Sequence, residues 1–476
     1  MRPLELVLLV ADLVACAALA VRLPDTARWP RHAAALAIPS AALQWAVEGP
    51  RWQLAPGYAL AAVVFAAWLA GARRAPERPR ARPWARRCRR TLGVVALAIA
   101  FALPVAIPVF RMPAPTGGYP LGTSTYHWVD HDRRERFAAA PAARRELVVQ
   151  LWYPAAPTPS APRAPYVQDA AALEPLAHLL DLPGFALGHL RYVTTNSVEG
   201  APAARGEPGF PVVIFSHGRG GFRQHNTVQV EALVSHGYIV AAIDHPYVAS
   251  GVVFPDGRLA AFDPRMLDRA FVDSVIPYLA EDVSFTLGQL AALNRSDPHG
   301  ILTGRLDLAR VGIFGLSLGG EVTVESCRTD PRLRACLAMD VWMPIDVVRS
   351  GLAQPTMLIT RDAATMRLEG WSPAAIDETL ATLRAVYAGA RGGGYLVEVP
   401  GMFHQDFSDA PLLSPLTSML GITGPIDRRR ARDIVAAYVL AFFDRHLRAR
   451  PAALLDAPSP RFPEVRFESR PALREH

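Results

Sequence analysis

Ser317 stands in "RVGIFGLSLGGEVTV", residues 310–324, with Gly315 two positions before it and Gly319 and Gly320 just behind. A hydroxyl there can serve as a nucleophile if a strand turns sharply into a helix, with glycines removing the Cβ atoms that would collide at the bend. GxSxG also arises by chance in glycine-rich loops, so the chemistry requires partners. A serine hydroxyl is a weak nucleophile until a base takes its proton. Among 13 histidines, His404 in "VPGMFHQDFSDAP" follows an apolar run downstream of the serine, the position expected of that base. His127, His131 and His178 lie in polar or amphipathic surroundings, and His446 falls late in the final helical pattern, where histidine suits a helix C-terminus. A carboxylate must then hold the histidine tautomer. Asp340 in "LAMDVWMP" and Asp362 in "ITRDA" both follow apolar runs, and spacing alone admits either. Asp362 also has a structural explanation, as a surface residue near a helix start with Arg361 as its ion-pair partner. Asp406 is too close in sequence to His404 to approach its far ring nitrogen. The glycine-rich "FSHGRGGF", residues 215–222, can aim backbone N–H groups at a developing oxyanion. Arg219 and Leu318 supply the natural pair of N–H donors, with His217 bracing the loop.

These residues need strand ends to carry them. "RELVVQLWYPA", "FPVVIFSHG", "YIVAAIDHP", "RVGIFG", "ACLAMD", "PTMLIT" and "GYLVEVP" read as strands, and the unbroken apolar character of several suits burial on both faces. Helical patterns run between them over Thr227–Ser235, Met266–Leu293, Ala374–Ala388 and Ala431–Arg448. Such alternation predicts a mostly parallel sheet with helices on both faces, in which functional residues lie beyond the carboxyl ends of strands. With the chain order serine, acid, histidine, this is the α/β-hydrolase arrangement.

A chain of 476 residues exceeds a single core, and four apolar runs open it: Leu4–Val21, Ala33–Val47, Leu54–Ala70 and Leu92–Phe110. The expected division is therefore a membrane region over residues 1–112, with up to four spanning helices, and a catalytic domain over 113–476. The net charge of +7 does not imply nucleic acid, because nine arginines cluster between Arg73 and Arg90, between two apolar runs. The first inter-run loop holds Arg22, Arg28 and Arg31, and the second only Arg51. The positive-inside tendency thus puts the catalytic domain outside, facing periplasm or exterior. A cleaved signal peptide competes for the first run, which has no basic start beyond Arg2 and no clear cleavage site. Glu5 and Asp12 share a helix face there, Glu5 near the interface and Asp12 in bundle packing. No cysteine or histidine spacing suits zinc, so no metal is expected. Cys327 and Cys336 read as two buried free thiols, with a bridge as the alternative in an oxidising compartment.

Together, "GYPLGTSTYHW" with "RELVVQLWYPA", "FPVVIFSHGRGGFR", "GYIVAAIDHP", "GIFGLSLGGE", "LAMDVWMPI" and "GMFHQDFSD" resemble the plasma-type and intracellular type II platelet-activating factor acetylhydrolases and their bacterial α/β-hydrolase relatives. The similarity spans roughly Gly118 to Leu447. It implies a Ser317, Asp340, His404 triad, with the acid soon after the nucleophile, and no cofactor. Two departures are Leu316, where the family often has histidine, and Arg219, where it is usually apolar. The four-run membrane region is absent from secreted members. The resulting expectation is a membrane-anchored serine esterase acting on short or oxidised acyl esters, phospholipids among them. Hydrolysis of small soluble or polymeric esters is an alternative, and a non-catalytic membrane sensor or scaffold with a degenerate hydrolase domain is another. The oligomeric state is not legible.

Overall fold

The computed structural model describes residues 1–20, 33–72, 83–138, 140, 142–206 and 209–473. Contacts divide the chain into two compact units, Met1–Phe110 with Leu413–Leu416, and Arg111–Leu412 with Thr417–His476.

In the first unit the apolar runs form helices α1 (Pro3–Ala20), α2 (Ala37–Glu48), α3 (Ala55–Ala72) and α4 (Pro83–Ala106). Two segments, Trp52–Ala70 and Arg87–Ala106, are long and apolar enough to cross a membrane. Arg22, Arg28 and Arg31 of the first loop, and Arg73, Arg74, Arg78, Arg80 and Arg82 of the third, lie outside the described residues. Glu5 is fully buried within the protein and accepts bonds from Arg51 Nε at 2.7 Å and Nη2 at 2.9 Å. Arg51 is thus an internal counter-ion, which explains a lone arginine in that loop. The Asp12 carboxylate is buried with no hydrogen-bond partner among the described residues.

The second unit is built on strands β1 (Leu121–Arg134), β2 (Arg144–Pro154), β3 (Arg163–Pro165), β4 (Thr194–Glu199), β5 (Phe210–Ser216), β6 (Ile239–Asp244), β7 (Gly251–Val253), β8 (Leu259–Ala261), β9 (Leu306–Leu316), β10 (Leu333–Met339), β11 (Thr356–Thr360), β12 (Gly394–Glu398) and β13 (Arg466–Arg470). Eleven of them form one sheet in the order β13-β12-β11-β10-β9-β5-β6-β2-β1-β4-β3, with β7 and β8 a separate hairpin. The run from β6 through β12 is parallel, and antiparallel pairs flank it at β6–β2 and β12–β13. Every residue of β5, β6 and β11 is buried, because helices cover both faces. Successive side chains of β5 alternate between two cores, with Val212 and Ile214 on one face and Val213 and Phe215 on the other. The 27-residue helix Arg269–Arg295 seals the first core through Val272, Ile276, Leu279 and Val283, and Arg428–Arg448 seals the second through Ile434, Tyr438 and Phe442.

Cys327 and Cys336 are joined as a disulfide, which corrects the expectation of free thiols. Cys327 lies in the last turn of the helix Leu318–Thr329, and the short turn after Thr329 brings Cys336 of β10 alongside, with the two Cα atoms 6.5 Å apart.

Candidate active site

The sharp turn expected at Ser317 exists. β9 ends at Leu316 and the next helix, Leu318–Thr329, starts immediately, with Ser317 between them at φ 56° and ψ −129°. Of residues 311–320 Ser317 alone is not buried, so the bend pushes its side chain out of an otherwise closed segment. The glycines are a packing requirement: a Cβ on Gly315 would sit 2.0 Å from the Gly319 carbonyl oxygen, and one on Gly319 would sit 2.0 Å from that of Ser216. Backbone stands on both sides of each contact, so no side chain can move aside. The Ser317 N–H is tied to the Met339 carbonyl at 2.9 Å, anchoring the turn to the end of β10.

Asp340 follows β10 directly, at φ 45° with 2% of its surface exposed. Its Oδ2 lies 2.5 Å from Nδ1 of His404, and its Oδ1 accepts a bond from Arg361 Nε at 3.1 Å. Burial works against the charge of Asp340, but Arg361 and the bond to His404 outweigh it and hold the carboxyl below its usual range. His404 opens the short turn after β12 and is a quarter exposed, and its backbone N–H donates to Glu369 Oε1 at 3.0 Å. The same Glu369 carboxylate pairs with Arg361, whose guanidinium lies 4.6 Å from the Trp371 ring centre. Arg361 therefore serves Asp340 and not Asp362, contrary to the expectation from their adjacency. Asp362 caps the helix Ala363–Leu368 by accepting the Thr365 N–H at 2.8 Å. Asp406 accepts the N–H groups of Phe403 and Gly424 and makes no bond to the His404 ring. Arg361 and Glu369 escape sequence reading because their roles depend on pairing across neighbouring strand ends.

The "FSHGRGGF" loop packs against the elbow, since a Cβ on Gly218 would stand 3.2 Å from the Cβ of Ser317. Among the described residues the N–H groups of Arg219 and Leu318 donate to no protein acceptor, whereas those of Gly220, Gly221 and Gly320 all do. The Arg219 side chain is turned to the Met266 carbonyl, 3.0 Å away. His217 braces the loop as expected, with Nδ1 2.8 Å from the Gly218 carbonyl oxygen, and burial pushes its pKa down to about 4. Ser317 Oγ makes no hydrogen bond within the described residues.

A mostly parallel sheet with a serine elbow and an acid-paired histidine beyond its strand ends is the arrangement of an α/β-hydrolase. Sequence comparison makes this more specific: the model of the family described as "Platelet-activating factor acetylhydrolase, isoform II" matches residues 109–252 and 292–452, and the chain belongs to that family. It is 27% identical over 334 residues to the platelet-activating factor acetylhydrolase of Cavia porcellus, covering 63% of this chain and 72% of that protein. It is 24% identical over 405 residues to a probable 1-alkyl-2-acetylglycerophosphocholine esterase of Arthroderma benhamiae, covering 79% and 97%. A solved ferulic acid esterase from Streptomyces cinnamoneus superposes with a TM-score of 0.63 at 32% identity, covering 76% of this chain and 99% of that one. The protein is a carboxylic ester hydrolase.

Proposed function

We propose that the protein is a membrane-anchored serine esterase that cleaves short or oxidised acyl chains from glycerophospholipids through an acyl-enzyme at Ser317. The observation that carries this reading is the 2.5 Å contact between His404 Nδ1 and Asp340 Oδ2, in a sheet whose serine elbow holds Ser317 at positive φ and only partly buried. An ionised Asp340 accepts the Nδ1 proton, which leaves Nε2 of His404 as the base for Ser317 Oγ. As Oγ attacks the ester carbonyl, its proton passes to Nε2, and the imidazolium is stabilised by Asp340 across the same contact. The N–H groups of Arg219 and Leu318 hold the negative oxygen of the tetrahedral intermediate. Nε2 then protonates the leaving alcohol, and water repeats the sequence to release the acid.

The division into a membrane region (1–112) and a catalytic domain (113–476) belongs to the same proposal. Two helices of spanning length, the arginine-rich loop before the last of them, and a disulfide suited to an oxidising compartment support an outward-facing domain. A reporter fused after residue 476 should be active only if it functions outside the cytoplasm; activity of a cytoplasm-only reporter overturns the orientation.

The similarity to a ferulic acid esterase favours a second reading, hydrolysis of small soluble or polymeric esters at the same site. Hydrolysis rates across acyl lengths, with substrates presented both as monomers and in phosphatidylcholine vesicles, separate the two. The lipid reading expects short-acyl phospholipid in vesicles to be cleaved at least as fast as the matching soluble ester, and loses if only soluble esters turn over.

A further inference from the structure

Behind the Arg219 loop lies a second line of serine, histidine and aspartate that cannot meet substrate. Ser216 Oγ is 3.0 Å from Nε2 of His245, and Nδ1 of His245 is 2.8 Å from Asp282 Oδ2. Arg145 clamps Asp282 through Nη2 at 2.6 Å and Nε at 3.1 Å, and Arg133 Nη2 adds a third bond at 2.8 Å. Ser216, His245, Asp282 and Arg145 are each at most 1% exposed, so the line is sealed inside the protein. Burying an aspartate and an arginine carries a desolvation cost that an apolar cluster of the same volume avoids, and geometry is one return such a cluster can give.

The bonds fix the geometry of the loop. Asp282, bonded by two guanidinium groups, is an acceptor, so Nδ1 of His245 carries a proton, and in the neutral ring Nε2 then accepts the Ser216 hydroxyl. The backbone N–H of His245 donates to Nε2 of His217 at 3.2 Å, which leaves the His217 proton on Nδ1, facing the Gly218 carbonyl. That carbonyl also receives the Gly221 N–H at 2.9 Å. In a trans peptide the carbonyl and the following N–H point in opposite directions. Holding the Gly218 carbonyl inward therefore turns the Arg219 N–H outward, on the side of the loop away from the buried line. Both residues that precede the Gly218–Arg219 peptide are thus tied to one histidine, Ser216 by its side chain and His217 by its ring.

We propose that His245, held by Asp282 and Arg145, is a positioning residue that aims the Arg219 N–H at the reacting oxygen. This rests on the reading of Arg219 as an oxyanion donor. His245 touches no substrate and transfers no proton in the reaction; it acts through the placement of Ser216 and His217.

The test uses the full chain in detergent with p-nitrophenyl acetate. In His245→Asn the amide nitrogen takes the place of Nδ1, keeping Asp282 bonded while releasing Ser216. In His245→Gln the amide oxygen takes the place of Nε2 and keeps Ser216 bonded. Ser216→Ala removes only the hydroxyl, and it carries the test if His245→Asn does not fold. Complete loss of an oxyanion donor costs on the order of 10² to 10³ in turnover, so a misaimed one should cost about 10-fold to 100-fold. His245→Asn and Ser216→Ala should show that loss in kcat with KM within about threefold of wild type, and His245→Gln should keep at least about a third of wild-type kcat. Folded variants that all retain kcat within twofold, or whose loss lies in KM, overturn the inference. If they do so while Ser317→Ala is inactive, only the loop inference falls; an active Ser317→Ala removes the site reading as well.

Discussion

Replacing Asp340 by Asn tests the acid with little disturbance of the backbone. Asn tolerates the positive φ of this position as well as Asp does. The consequence is electrostatic and geometric. Arg361 Nε can only donate, so the Asn carbonyl oxygen turns to it, and the amide NH2 is left facing Nδ1 of His404. Nδ1 must then accept, the ring proton moves to Nε2, and the nitrogen that should take the Ser317 proton is already occupied. The expected loss is about 10³ to 10⁴ in kcat, or roughly 4 to 5.5 kcal/mol in the barrier. KM should change little, because the lost interaction acts in the transition state. Asp362→Asn is the paired control: Asn caps a helix about as well as Asp, so the bond from the Thr365 N–H survives and turnover should change less than about tenfold. Initial rates on a short-chain ester, with thermal unfolding to show both variants are folded, decide the matter. An inactive Asp362→Asn beside a near-normal Asp340→Asn would refute the reasoning and move the acid one strand along.

Two further perturbations bear on the elbow and on a buried carboxyl. Gly319→Ala places a methyl 2.0 Å from the Ser216 carbonyl oxygen, so it should lower both the unfolding temperature and kcat, the latter by about 100-fold or more; wild-type values for both would mean the elbow and loop are not locked together. Glu231 is pushed by burial up to about 7 from 4.5, despite bonds from Asn196 and Ser197. A carboxyl raised in the folded state contributes its stability below the unfolded value and loses it as pH climbs through the folded one, here an upper bound of about 3 kcal/mol between roughly pH 4.5 and 7. The unfolding temperature should therefore fall more between pH 5 and 8 in the wild type than in Glu231→Gln, and equal slopes would contradict the assignment.

What the sequence reveals follows from how each feature is encoded. β5, β6 and β11, with the buried ends of β9 from Val311 and of β10 from Ala335, announce themselves as apolar runs because both of their faces are covered. β1, with "LGTSTYHWVDHDRR", is as long as any strand in the sheet but carries polar side chains along its outer half, and β13 reads "RFESR"; neither has a pattern to find. Ser317 is legible because a local steric demand writes its glycines beside it, and His404 because a strand delivers it. Arg361 is not, because its bond to Asp340 spans two strand ends and its sequence neighbour Asp362 offers a false partner. The line from Ser216 through His245 to Asp282 joins residues 29 and 37 positions apart, and only the folded sheet and the long helix behind it bring them together. The Cys327–Cys336 bridge depends on where one helix ends relative to β10, which spacing does not specify.

The central claim is that Ser317 is the nucleophile, and covalent capture tests it most directly. The full chain is treated with a fluorophosphonate and the modified residue located by peptide mass spectrometry, beside Ser317→Ala assayed for ester hydrolysis. The account predicts one adduct, on Ser317, and a variant that takes no label and loses on the order of 10⁴ to 10⁶ in turnover. An adduct on another serine, or a Ser317→Ala protein that keeps a tenth of its activity, would contradict it.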